Sequence, residues 1–242
     1  MSGVSKKEEP VFYPELLRRH IHITSPLARN ALSEFFGTFM LLFIGLTTVM
    51  QLILSSEKMN TWIQINVGWG LAISFTVYLC AKTSGGHYNP AVSLAMVSFG
   101  KLPFTHFLVY IVVQTAGAFV GAAASYGLYY DQFVYHEQGG GKILLGPKGT
   151  ARCFCSFPEP HVSNLSCFFD QVAGTGLLVF FVAVIIDKRN GIPEAAHPWL
   201  FGFVLMMIGC CLGLNLGYPI NPARDLGPRL FAWMLYGSEV FT

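Results

Sequence analysis

The order of apolar and polar residues divides this chain into long hydrocarbon-like runs joined by polar connections. Five runs reach the roughly 20 apolar residues that a helix needs to cross a bilayer: 31–54, 63–81, 104–128, 168–186 and 199–216. Two further apolar stretches, 90–99 and 222–235, are too short to cross. At about 1.5 Å per residue, each covers roughly half a membrane. Glu57, Lys58 and Asn60 link the first two spans, and a long polar segment, 131–166, links the third and fourth. Asp187-Lys188-Arg189-Asn190-Gly191 and Pro193 link the fourth and fifth. Gly117-x-x-x-Gly121 and Gly209-x-x-x-Gly213 have the spacing that lets helix backbones approach closely in lipid.

Composition sharpens this picture. Only 12% of the residues are charged, against about 25% in an ordinary soluble domain. The expected fold class is therefore an all-α membrane protein with the lipid bilayer as its solvent. A net charge of +2 without a basic cluster gives no reason to expect a nucleic-acid partner. Lys6, Lys7, Arg18, Arg19 and Arg29 precede the first span, whereas the first loop holds only Lys58. The tail, 1–30, is thus expected to be cytoplasmic. It is polar and broken by Pro10, Pro14 and Pro26, so the first span, not a cleaved leader, is expected to act as insertion signal. The long loop then falls outside, with the glycosylation acceptor pattern Asn164-Leu165-Ser166.

Cys80, Cys210 and Cys211 lie in apolar runs and read as small buried hydrophobes. Cys153, Cys155 and Cys167 share the long loop, where a disulfide is an open reading. No metal-ligand spacing, nucleophile–base pair or cofactor loop stands out, so neither an enzyme, a cofactor nor a metal site is expected.

The strongest sequence feature is a repeated tripeptide, Asn89-Pro90-Ala91 and Asn221-Pro222-Ala223, each at the head of a half-span. Each follows a glycine-bearing loop: Ser84-Gly85-Gly86-His87-Tyr88 and Gly217-Tyr218-Pro219-Ile220. Proline suits the first helical position, where its missing N–H costs nothing. Asparagine is a favoured N-cap. A unit of three spans and a half-helix reverses direction, so two copies have inverted topology and their half-helices meet near the midplane. Both N-termini then place positive potential there, repelling cations and protons. Irregular backbone at that depth is tolerated where it lines a watery cavity.

On these residues the chain resembles the aquaporin (major intrinsic protein) family. Ser84 to Val92 and Gly217 to Arg224 look like its two signature loops, and the resemblance runs from about residue 31 onward. It implies a right-handed helical bundle with an inverted repeat, in one channel domain, 31–242. The first repeat would cover 31–130 and the second, incomplete one 168–242. Asp225 directly after Arg224 is similar to the glycerol-conducting branch, as are Gly127-Leu128-Tyr129-Tyr130 and the length of the third loop. By the same resemblance, Trp69, Gly209, Tyr218 and Arg224 form the selectivity filter, with Gly209 leaving room for a wider solute. Asn89, Asn221, Pro90, Pro222, Ala91 and Ala223 form the pore centre. Gly85, Gly86, His87, Tyr88, Gly217 and Pro219 line the pore, and Glu34, Gln171 and Asp225 give structural support. The implied activity is passive permeation of glycerol, water and other small neutral solutes. A homotetramer in the plasma membrane is implied as well.

One part of the pattern is missing. The third span starts fifteen residues after Asn89; the same offset from Asn221 reaches Tyr236, with only the stretch 236–242 remaining. No sixth span is expected within these residues. A non-conducting variant that assembles with or regulates intact subunits therefore stays open; a water-only channel is a further alternative, against which Gly209 and Asp225 argue. An ion-coupled transporter would need midplane carboxylates, for which only Glu34 and Asp225 are candidates.

Overall fold

The computed structural model describes residues 12–138 and 141–241. Lys6 and Lys7, on which the expected orientation partly rests, lie outside the described residues. Nine α-helices are described: α1 (Tyr13–His20), α2 (Pro26–Leu54), α3 (Trp62–Ser84), α4 (Pro90–Ser98), α5 (Phe104–Leu128), α6 (Tyr130–Glu137), α7 (Asn164–Ile186), α8 (His197–Leu212) and α9 (Pro222–Tyr236). There is no strand among the described residues. α2, α3, α5, α7 and α8 are long and apolar enough to cross a membrane. α4 and α9 are the two half-helices.

Helix ends follow local chemistry more closely than hydrophobicity does. α2 begins five residues before the expected residue 31, because Ser25 caps it by accepting from the Ala28 N–H (3.4 Å), with Pro26 in the first turn. α7 begins at Asn164, capped by Ser163, so the acceptor tripeptide forms its first turn. α8 stops at Leu212 rather than residue 216, and the chain turns into the second signature loop. Neither α1 nor α6 is visible in the apolar pattern, since both are short and mixed in character.

α2 packs along α5 and α3; α3 packs along α8, α5 along α9, and α7 along α8. The α2–α5 contact is as close as the small residues imply. A Cβ on Gly117 would run into the Phe35 carbonyl, and one on Gly121 would sit 2.8 Å from the Phe39 carbonyl. The second small-residue pair behaves differently. α8 meets the α3 backbone through Gly202, where a Cβ would lie 2.5 Å from the Gly70 carbonyl. Gly209 and Gly213 instead receive side chains, Tyr218 with Asn66 and Trp62 respectively.

Large apolar side chains remain exposed around the bundle, among them Phe75 on α3, Val112 on α5, Phe180 on α7 and Phe203 on α8. This is the surface expected of helices solvated by lipid. Cys80 is buried, but Cys210 and Cys211 are exposed on α8, contrary to the reading of both as buried hydrophobes. Cys210 Sγ nonetheless accepts from Asn66 Nδ2 of α3 (3.6 Å). Cys153, Cys155 and Cys167 are all free thiols.

The segment after α5 is a folded cap, not a polar linker. Phe133 of α6 stacks on Phe154 (5.6 Å between centroids), which also contacts Phe231 of α9. Glu137 accepts from Lys142 Nζ (2.8 Å) and from Thr150 Oγ1 (2.8 Å). Thr150 in turn shares a 2.8 Å hydrogen bond with the Tyr236 hydroxyl. Sequence periodicity misses this because the cap's partners lie on other elements.

Candidate functional site

Asparagine caps both half-helices in the same way. Asn89 Oδ1 accepts from the Ala91 N–H (2.9 Å), and Asn221 Oδ1 accepts from Ala223 (3.0 Å) and Arg224 (3.2 Å). Their amide groups then cross over. Asn89 Nδ2 donates to the Ile220 carbonyl (2.9 Å), and Asn221 Nδ2 donates to the Tyr88 carbonyl (2.9 Å). Each signature loop is thereby tied to the cap residue of the other half-helix. An amide nitrogen carries two hydrogens, so each asparagine keeps one N–H beyond the crossed bond.

The residue before each asparagine has left-handed backbone, Tyr88 at φ 51° and Ile220 at φ 30°. This conformation is costly for a bulky or β-branched residue and persists only where surroundings enforce it. The enforcing groups are carboxylate and amide side chains, buried in the first unit and half-buried in the second. Glu34, wholly buried, accepts from the His87 N–H (3.0 Å), the Tyr88 N–H (2.7 Å), Ser84 Oγ (2.7 Å) and Gln114 Nε2 (2.8 Å). In the second unit Gln171 Oε1 accepts from the Ile220 N–H (3.0 Å). Asp170 beside it accepts from Asn215 Nδ2 (2.7 Å) and Gln171 Nε2 (3.2 Å). A carboxylate thus supports both loops, directly in one unit and through an amide in the other. Asp170 and Gln114 were not legible as supports, since their partners are far away in sequence.

A single cavity of about 1240 Å³ runs past both asparagines. Trp62, Arg152 and Leu214 line one end, and Lys82, Lys101 and Lys188 line the other. Between them it is lined by Gly85, Gly86, His87 and Asn89 from one loop, and by Gly217, Tyr218, Pro219, Asn221 and Arg224 from the other. Tyr88 is an exception. Its side chain is buried, packs on Gly37, and donates to the Thr76 carbonyl (2.8 Å), while its carbonyl is held by Asn221. It braces the loop rather than lining the lane. Pro90 and Ala223 are buried, Ala91 is half-buried and Pro222 is exposed; all four build the helix heads and none lines the cavity.

Trp69, Tyr218 and Arg224 line the lane, and the Arg224 guanidinium lies 5.2 Å from the Trp69 ring centre. Gly209 does not face the lane. A Cβ there would come 2.5 Å from both Tyr218 Cζ and Asn66 Oδ1. Its missing side chain makes room for the Tyr218 ring rather than directly for a solute. Tyr218 is fixed by donating to Asn66 Oδ1 (2.6 Å), and its ring meets Trp62 edge-on at 5.9 Å. Trp62 Nε1 donates to the Gly209 carbonyl (3.1 Å).

The long loop also reaches this point. Ser156 and Phe157 line the lane. Ser156 Oγ accepts from Arg224 Nη1 (3.4 Å), its N–H donates to Asp225 Oδ1 (3.3 Å), and its carbonyl accepts from Arg229 Nη2 (2.6 Å). Asp225 holds Arg229 through 2.9 and 3.0 Å bonds. The one available sequence signal was Asp225 and Arg229, a pair of charges four residues apart on an apolar half-helix. Cys155, in the same turn, is buried. Burial pushes its thiol up to about 12, with Arg229 opposing and Asp225 adding. His87 contacts Ser93 Oγ (3.1 Å), and no group of three or more metal-ligating side chains occurs among the described residues.

Two capped half-helices, head to head, with one lane passing both caps, define a membrane channel of inverted-repeat type. The family model for the major intrinsic proteins matches residues 22–241, and the chain belongs to that family, whose members are channels and not enzymes. Aquaporin-9 of Mus musculus is 43% identical over 229 residues, covering 93% of this chain and 77% of that relative. Aquaporin-10 of Homo sapiens is 39% identical over 231 residues, covering 95% and 76%. The X-ray structure of the aquaglyceroporin from Plasmodium falciparum superposes with a TM-score of 0.79 at 31% identity, covering 89% of this chain and 85% of that one.

Proposed function

We propose that this protein is a channel for the passive permeation of glycerol and water that excludes protons and ions. The observation that carries the reading is the crossed pair of asparagine bonds at the centre of one lane lined from end to end. Two helix N-termini face that point, and their partial positive charges oppose cations from both sides. The spare N–H of each asparagine can donate to a passing oxygen, while loop carbonyls accept from its hydroxyl hydrogen. A water inside this stretch is thereby held as acceptor at the asparagines and cannot relay a proton onward.

The filter supports glycerol in particular. Trp69 and Tyr218 offer apolar faces to a carbon backbone, and Arg224 offers N–H donors to hydroxyl oxygens. Permeants have two sides, so a lane with one greasy wall and one donor wall fits a polyol edge-on. The likeness to aquaporin-9, aquaporin-10 and an aquaglyceroporin supports the same reading. A homotetramer in the plasma membrane, with one lane per subunit, completes the proposal.

Swelling of vesicles containing the purified chain tests it. Glycerol gradients should dissipate well above the protein-free rate, while sorbitol gradients should not. Equal glycerol flux with and without protein, alongside suppression of a co-reconstituted intact relative, would establish the non-conducting assembly partner instead.

A further inference from the structure

The helix before the first span has no part in the lane, yet its surface is sharply divided. At 100° per residue, Tyr13, Leu16 and Leu17 share one half of α1 with His20, and Phe12 and Ile21 flank it at the two caps, while Pro14, Glu15 and Arg18 fall on the other half. The apolar half is uncovered: Phe12 is 74% exposed, Tyr13 88%, Leu17 60% and Ile21 68%. The bundle therefore does not explain these residues. Only residues 21–25 separate α1 from α2. Five residues reach at most about 18 Å, so α1 stays close to the membrane surface at which α2 enters.

That surface is basic. Arg18 is exposed, and its 3.4 Å pairing with Glu15 is an exposed one that exchanges readily with other anions. Arg29 is exposed in the first turn of α2, and Lys82, Lys101 and Lys188 gather at the same end of the bundle. We propose that α1 lies in the headgroup layer of the cytoplasmic leaflet, with its apolar half among the acyl chains and Arg18 and Arg29 against anionic lipid phosphates. An amphipathic helix of this kind binds by buried apolar area plus attraction to anionic lipid. The partner is thus a lipid surface, and the tail before the channel is a peripheral anchor rather than a free arm. The proposal is independent of which solute permeates.

The test uses the full chain in vesicles containing about one-third anionic lipid, enough to set a negative surface potential. A genetically encoded fluorescent amino acid replaces Leu17 in one sample and Arg18 in another. Lipids brominated near the headgroup should quench position 17 severalfold more than position 18, and aqueous iodide should show the reverse order. Trypsin acting at Arg18 from the cytoplasmic side gives a second readout. Losing one leucine contact alone shifts an equilibrium by about tenfold or more, so a Leu16→Asp, Leu17→Asp double variant should be cut at least about tenfold faster than the wild type. Because α1 packs no face on the bundle, that variant leaves channel folding intact. Equal iodide access at both positions would overturn the proposal. So would protection of position 17 from iodide without quenching by the brominated lipid, since a protein surface would then be covering it.

Discussion

Gly209→Ala is the smallest change that moves a wall of the lane. The added methyl would sit 2.5 Å from Tyr218 Cζ and 2.5 Å from Asn66 Oδ1. Ordinary carbon contacts lie near 3.5–4.0 Å, so the ring must retreat by about 1 Å. Gly209 touches the Tyr218 ring without lining the lane, whereas Tyr218 lines it, so the retreating ring is expected to narrow the lane. It also strains the 2.6 Å bond from Tyr218 to Asn66, which otherwise fixes the ring. Overpacking of this size costs about 1–3 kcal/mol. Expressed in the glycerol barrier, that is about a five- to hundredfold fall in glycerol permeability. Water is smaller and should lose less. Stopped-flow light scattering on proteoliposomes of equal protein content gives both values, first under a glycerol gradient and then under an impermeant osmolyte. An unchanged or higher glycerol-to-water ratio would refute the placement of Gly209 against the ring.

Three further outcomes follow from the same geometry. Ser156→Ala removes the hydroxyl beside Arg224 and should lower the glycerol-to-water ratio by about two- to tenfold, the worth of one hydrogen bond; Ser156→Thr should restore it, and a ratio unaffected in both would show that the loop does not position the arginine. Glu34→Gln turns one acceptor oxygen into a donor facing buried donors, so it should cost about 2–5 kcal/mol and lower the melting temperature of the detergent-purified protein; an unshifted melt would count against its bracing role. Cys155, with its thiol raised to about 12, holds a proton through the neutral range and should be alkylated at least about a hundredfold more slowly than an unfolded peptide thiol at pH 7.4. Its rate should climb with pH. The stability linked to this thiol is complete below the ordinary thiol range and declines as pH rises through it toward 12, since the unfolded thiol ionises first. Mass spectrometry of intact and denatured protein reads both rates.

The spans and half-helices were legible because lipid imposes long unbroken apolar runs, and α5 even has the expected bounds. Asn89 and Asn221 were legible because cap chemistry and repetition are both local. What sequence could not give is pairing across distance. Ser156 meets Arg224 and Arg229 from the other end of α7 and α8, and Tyr218 rests on Asn66 of α3. Gly209 was read by its size alone, as space for solute, whereas the space belongs to a neighbouring ring. Tyr88 was read by its position in a lining loop, yet left-handed backbone turns its carbonyl to Asn221 and its ring inward. The cap around Phe154 has no periodicity, because α6 and α9 complete its core.

The central claim is that two opposed helix heads pass neutral hydroxylated solutes through one lane and stop charge there. Glycerol uptake and proton flux can be followed together in the same vesicles, by light scattering and an entrapped pH dye. The account requires fast glycerol entry with proton flux no higher than in protein-free vesicles. A proton current that rises with protein content, or glycerol entry at the bare lipid rate, would contradict it.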